Sequence, residues 1–168
     1  MIPRSGRVLG VDWGAVRIGI AVSDETQLLA SPLDTLTRRA GKRFPMPPFL
    51  ELLATKDPVG IVVGLPLSPE GGEAESTTAA RELAQLLGTR TGLPVELWDE
   101  RMSTARALAA IREQGGSTRG RREDVDALAA SVLLQHWLDV RRAGGRSDGQ
   151  TDGRTVRRSD GRTDGMPG

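Results

Sequence analysis

The sequence predicts an α/β fold, a mixed five-stranded sheet with helices on both faces. Three observations carry that prediction. The N-terminal stretch VLGVDWGAVRIGIAVSD holds two apolar runs on either side of a glycine turn, the pattern of an antiparallel hairpin. Farther along, VGIVVG is apolar on both sides, as a strand covered on both faces must be. Stretches with helical apolar spacing follow, so an antiparallel meander passes into βα units.

The first strand covers residues 7–12, and Gly14 permits a tight turn before its partner at 17–23. Residues 28–37 form a third extended piece, in which Pro32 lacks an N–H and belongs at an edge or an irregularity. Arg38-Arg39-Ala40-Gly41-Lys42-Arg43 is a basic loop, and the proline-rich 45–48 leads into a short helix at 49–55. Residues 59–64 are the central parallel strand, followed by a loop at 65–72 in which Gly71-Gly72 leave room to move. The spacing of Ala80, Leu83, Leu86 and Leu87 marks a helix over 73–87, and the last strand is 94–98. Ser103 is placed to cap a helix reaching Gln114, closed by Gly115-Gly116. The final helix starts near Arg122, ends near Arg142, and turns Val125, Leu128, Ala129, Val132 and Leu133 to one face.

Length and charge bound what such a fold can do. The chain of 168 residues has room for one domain with a sizeable core, assigned to 1–143. Residues 144–168 repeat Ser/Thr-Asp-Gly units with almost no apolar side chains and read as a disordered tail. Removing the tail's five Arg and four Asp from the 23 basic and 22 acidic residues leaves 18 of each. The folded part is therefore neutral, and any grip on a polyanion has to come from local patches. There is no cysteine, hence no disulfide framework and no thiolate metal site. The Met-Ile-Pro-Arg-Ser start lacks a signal peptide's apolar segment, and no run approaches the ~18 apolar residues of a membrane span. A soluble, cytoplasmic protein with no membrane partner is the expectation.

Three element ends carry acids. Asp12 closes the first strand, where burying a charge is expensive. Asp99-Glu100 closes the last strand, and Asp126 sits in the first turn of the final helix. Taken singly, each has an ordinary explanation: a turn former at Asp12, an arginine partner for Glu100, a helix-dipole complement at Asp126. Taken together, if the first and last strands lie side by side, they converge. A cluster of carboxylates with no His or Cys is a hard, oxygen-rich site that suits Mg²⁺ or Mn²⁺. The candidate ligands are Asp12, Glu100 and Asp126, with Asp99 as a supporting acid ranked below Glu100.

Basic groups surround these positions. Arg17 follows the first turn, Arg101 adjoins Glu100, and Arg119, Arg121 and Arg122 precede the helix that bears Asp126. Alone such a run is a solvated loop; beside a metal site it is placed to hold a phosphate backbone. Trp13, Trp98 and Trp137 read as core or rim packing rather than base-stacking groups, and His136, the single histidine, is assigned no catalytic role.

The blocks GVDWGAVRIGIAVSD, VVGLPLSPEGGEAEST, DERMSTARA and REDVDALAASVLLQHWL resemble, in order, the four signature blocks of the YqgF/RuvX family. The resemblance spans residues 6–138. It implies a ribonuclease H-like fold and a divalent-metal-dependent nuclease. The implied role is processing the 5′ end of pre-16S rRNA in ribosome biogenesis, or resolving Holliday junctions in branched DNA. It matches Asp12, Glu100 and Asp126 to the family's three acids and implies two metal ions and products with 5′-phosphate and 3′-hydroxyl ends. One ion would activate a water and the second would stabilise the leaving oxygen. Val16 departs from the pattern, since many members have a lysine there, and the tail is not part of it. Gly10-x-Asp12-x-Gly14 is shared with sugar kinases and actin-like ATPases, but those need two related domains, for which the chain has no room. A catalytically silent RNA-binding module would be expected to lose an acid, and all three are present. Symmetric junction resolution calls for a dimer; monomer or homodimer is left open by the residues.

Overall fold

The computed structural model describes residues 1–13, 17–38, 43–65, 73–99 and 122–150. In chain order the elements are β1 (Val8–Asp12), β2 (Arg17–Ser23), β3 (Ala30–Thr37), α1 (Met46–Lys56), β4 (Gly60–Leu65), α2 (Glu73–Thr91), β5 (Val95–Asp99) and α3 (Arg122–Gln150). The expected helix over 103–114, the 66–72 loop, Gly14, Val16, the 39–42 part of the basic loop and residues 151–168 lie outside the described residues.

The strands form one mixed sheet in the order β3-β2-β1-β4-β5. β1 and β2 pair antiparallel, as do β2 and β3, whereas β1–β4 and β4–β5 are parallel. This corrects one expectation. The first and last strands are not neighbours, because β4 lies between them. A local apolar pattern carries no information about which strand fills the middle; that order is fixed by the crossovers and by burial of β4 on both faces. The irregular third strand is also explained. The β2–β3 register shifts between Ile20 and Ala21, so that Ile20 faces Asp34 and Ala21 faces Pro32. The proline without an N–H therefore sits on an edge strand beside a bulge.

Side chains alternate between two cores. Leu9, Val11, Ile18, Ile20, Ile61 and Val63 pack with Phe49 of α1 and with Leu83 and Leu87 of α2. On the opposite face Val8, Ala21 and Val62 pack with Ala130, Leu133, Leu134, Trp137 and Leu138 of α3. Helices thus cover both faces. Each such buried aliphatic side chain contributes roughly 1.5–3 kcal/mol of transfer free energy.

α3 lies unusually close to the sheet, and two glycines make this possible. A Cβ on Gly10 would come within 2.9 Å of the Leu134 Cβ, and one on Gly19 within 1.9 Å of the Asp126 carbonyl oxygen. Any side chain at Gly19 would push the helix off β2. α1 starts at Met46, earlier than the spacing predicts, because proline is tolerated in a first turn whose N–H groups have no intrahelical acceptor. It stops at Asp57, in the left-handed region with φ 48°, whose N–H bonds the Leu53 carbonyl at 2.8 Å. α3 continues to Gln150, past the expected end near Arg142. Extending a helix already nucleated and packed is much cheaper than starting one, even through glycine.

Among the described residues no helix is long and apolar enough to cross a membrane.

Candidate active site

Asp12 is the last residue of β1 and is only 4% exposed. By the two-residue period of a strand it shares the face of Val8 and Gly10, the face covered by α3. Its two neighbours across the sheet are both glycines: Gly19 on β2 and Gly64 on β4. Asp12 is therefore a buried carboxylate with no side chain beside it on either adjacent strand.

Gly19 explains how the second acid arrives. The main chain of Asp126 rests on the bare Cα of Gly19, the residue paired with Asp12. The first turn of α3 is thus brought over the end of β1, and two acids 114 positions apart in sequence become neighbours. An isolated glycine inside a strand pattern signals such a close backbone approach. Gly19 is thus a positioning residue, and its signal in the sequence is a lone glycine within the apolar run of β2.

Arg17, at the start of β2, donates from Nε to Oδ2 of Asp126 at 2.8 Å. The pair is partly buried, with the Arg17 side chain 36% and the Asp126 side chain 19% exposed. The sequence places Arg17 among the groups expected to touch a phosphate backbone. Here it holds an acid of the candidate site.

β5 supplies the third edge. Gly64 pairs with Trp98 and Leu65 with Asp99. Since β4 intervenes, β5 lies two strand spacings from β1, roughly 9–10 Å. Trp98 and Glu96 face α3: the Trp98 indole N–H donates to His136 Nδ1 at 3.1 Å, and Glu96 Oε2 accepts the Trp137 indole N–H at 3.1 Å. Val95 and Leu97 pack on the α1–α2 side. Asp99 continues that alternation, so it belongs to the face opposite Asp12. Glu100, Arg101, Arg119 and Arg121 lie outside the described residues, and Arg122 is the first residue of α3. Among the described residues no group of three potential ligands is assembled; Asp12 and Asp126 are the two acids brought together.

Next to Asp12, Trp13 stacks on Phe44 with ring centroids 5.9 Å apart, and the Arg38 guanidinium lies 4.0 Å above the indole. Phe44 in turn meets Phe49 edge-on at 5.1 Å. The strand that carries Asp12 is thereby locked into the α1-side core immediately beyond the acid.

The donor chemistry fits a hard divalent cation. Both assembled acids offer only oxygen, neither has a His or Cys neighbour among the described residues, and Asp12 is held by a rigid central strand. Arg17 keeps the Asp126 carboxylate oriented.

Residues 6–140 match the family described as RuvX: Holliday junction resolvase. A relative from Anaeromyxobacter sp. (strain Fw109-5), named "Putative pre-16S rRNA nuclease", is 44% identical over 137 residues, covering 82% of this chain and 99% of the relative. A relative of the same name from Leifsonia xyli subsp. xyli is 41% identical over 146 residues, covering 87% of this chain and 94% of its own. Among solved structures, Thermus thermophilus RuvC in complex with a Holliday junction substrate superposes with a TM-score of 0.51 at 22% identity, covering 82% of this chain and 96% of that one. That likeness shows a shared fold.

Proposed function

This chain belongs to the RuvX family, and from that premise we propose that it is a divalent-metal-dependent nuclease that hydrolyses phosphodiester bonds in the 5′ processing of pre-16S rRNA. The observation that carries the reading is the seating of Asp126 on Gly19 beside the buried Asp12. The arrangement sets a buried carboxylate beside a second one held by Arg17, and a cation shared between them would offset both the desolvation and the like-charge repulsion.

Asp12, Asp126 and Glu100 would hold the cation or cations, Mg²⁺ or Mn²⁺. Glu100 is preferred to Asp99 because alternation in β5 turns Asp99 away from the Asp12 face. Bound there, two such ions supply Lewis-acid activation of water and stabilisation of the leaving oxygen. The chain's own residues do the rest. β1 fixes Asp12 in place, Arg17 fixes the carboxylate of Asp126, and the bare Gly64 keeps the space between Asp12 and β5 free of side chains. Arg101, Arg119, Arg121 and Arg122 are the groups that would bind the backbone of the substrate. Hydrolysis breaks the bond between phosphorus and the 3′ oxygen, leaving a 5′-phosphate on one product and a 3′-hydroxyl on the other.

The family description favours a second reading, resolution of branched DNA. One assay separates the two. Single-stranded RNA, duplex DNA and four-way junctions are incubated with the protein in Mg²⁺ or Mn²⁺, with Asp12→Asn as control. Preferential cleavage of RNA, reduced on the order of 10²-fold or more in Asp12→Asn, is the expected result, since losing a ligand removes several kcal/mol of transition-state stabilisation. Preferential cleavage of the junction would select the second reading. Equal cleavage by wild type and Asp12→Asn would overturn both.

A further inference from the structure

The far end of α3 carries a second cluster of charge. A cavity of about 110 Å³ opens between the C-terminal part of α3 and the β2–β3 turn, lined by Arg4, Gln27, Leu28, Leu138, Arg141 and Arg142 among others. A single water needs only roughly 10–15 Å³ by the same measure, so the space admits a larger polar group. Three arginines, Arg4, Arg141 and Arg142, line it. Their bonds are mostly to backbone: Arg4 Nη1 donates to the Arg141 carbonyl at 3.5 Å, Arg142 Nη2 to the Leu28 carbonyl at 3.1 Å, and Arg141 Nη2 to the Ile2 carbonyl. Among the described residues one carboxylate reaches the cluster directly, Asp139, at 3.2 Å from Arg142 Nη2. Glu96, whose field acts on Arg141, is already engaged by the Trp137 indole and the Ile2 N–H.

Among the described residues the cluster is short of acceptors: Arg141 Nη1 and Arg142 Nε are buried with no hydrogen-bond partner there. Buried N–H groups of a charged side chain are costly to leave unpaired. Burial pulls the Arg141 pKa below its ordinary value, Glu96 opposes the shift, and Arg4 adds to it. Three like charges are thus packed together around an open space, with a single carboxylate, Asp139, in direct contact among the described residues.

We infer that this cavity is a binding site for a phosphate group. Guanidinium forks match the oxygens of phosphate, and an anion there would relieve the repulsion between Arg4 and Arg141. Asp126 and Arg141 lie on one helix, so the rise of about 1.5 Å per residue puts the pocket about 22 Å from the candidate active site. At that distance the source is a backbone phosphate of a polynucleotide whose scissile bond lies at Asp12, a placement that rests on the nuclease reading, or a free phosphate.

The test is binding, not cleavage, and uses full-length protein carrying Asp12→Asn in chelator, so that it does not depend on the catalytic reading. In one arm inorganic phosphate is titrated at constant ionic strength while Tm is followed. A saturable rise that is lost in Arg4→Gln and Arg142→Gln and retained in Arg4→Lys is expected. In the other arm single-stranded RNA of ~20 and ~3 nucleotides is titrated. Arg4→Gln should weaken the longer strand about five- to tenfold and lower its salt slope by about 1, with no change for the shorter one, which cannot reach both ends of α3. Effects in both arms assign a backbone phosphate, and an effect in the phosphate arm alone assigns free phosphate. No saturable phosphate effect on the protein with its arginines intact, together with unchanged binding of the longer strand, overturns the inference; the phosphate titration needs no substitution in the pocket, so misfolded variants cannot obscure it.

Discussion

Arg17 could serve two roles, and its geometry favours one. A guanidinium 2.8 Å from Asp126 is committed to that carboxylate, whereas an arginine that neutralised a phosphate would release counterions on binding. Arg17→Met is therefore expected to reduce cleavage while leaving the salt dependence of RNA binding unchanged; a salt slope lowered by about 1 would instead return Arg17 to the substrate backbone. The pair itself is a partly exposed one and contributes on the order of 1 kcal/mol or less to stability. Gly19 is different. Its missing Cβ would lie 1.9 Å from the Asp126 carbonyl oxygen, a backbone atom that cannot rotate away. Gly19→Ala should cost on the order of 3 kcal/mol in urea denaturation and depress activity further by displacing Asp126, while Ala at Gly144, in α3 with nothing within 4 Å of the added carbon, leaves activity unchanged.

The turn between β2 and β3 shows what the sequence conveys about elements and what it withholds. Asp24 organises that turn: its Oδ2 accepts the Thr26 hydroxyl at 2.7 Å, and its Oδ1 accepts the N–H groups of Leu28 and Leu29 at 2.9 and 3.3 Å. The Thr26 bond first, with the backbone bonds adding to it, holds the Asp24 carboxyl below its ordinary value of 3.8. A depressed folded-state pKa favours the native carboxylate, so the unfolded chain binds more protons in that range. The stability Asp24 supplies is then complete above pH 3.8 and is lost as pH falls through the lower folded value. The Tm difference between wild type and Asp24→Asn should accordingly shrink between pH 5 and pH 2; a constant difference would contradict the assignment. The strands flanking this turn were legible because alternation is a local property, and Pro32 announced its edge position. The order of β1, β4 and β5 was not, because pairing is decided by crossovers dozens of residues long. At the site the same division holds. Asp12 and Asp126 stood out as acids at element ends, but the Arg17–Asp126 pair depends on the register that sets Asp12 opposite Gly19 and is invisible until the strands are paired.

At the scale of the molecule, α3 ties the parts together. It crosses β1, β2 and β3, its Gln135 bridges the Ala30 N–H and the Leu28 carbonyl, and near its far end Arg141 bonds the Ile2 carbonyl while lying 4.8 Å from the Trp137 ring. One end of this helix brings Asp126 to Asp12; the other frames the arginine cavity. The two acids meet only when α3 is docked, because nothing in the unfolded chain holds positions 12 and 126 together. A divalent cation that uses both must then bind the native state and not the unfolded one, and by mass action it must stabilise the fold. At a free concentration a hundredfold above its dissociation constant the gain is about 2.7 kcal/mol. Titrating Mn²⁺ should raise the Tm of the wild-type protein in a saturable way, chelator should reverse it, and Asp12→Asn should abolish it while leaving the metal-free protein folded. If Mn²⁺ raised the Tm of wild type and Asp12→Asn alike, the cation would be bound elsewhere and the assignment of Asp12 as a ligand would fall, whatever the cleavage assay showed.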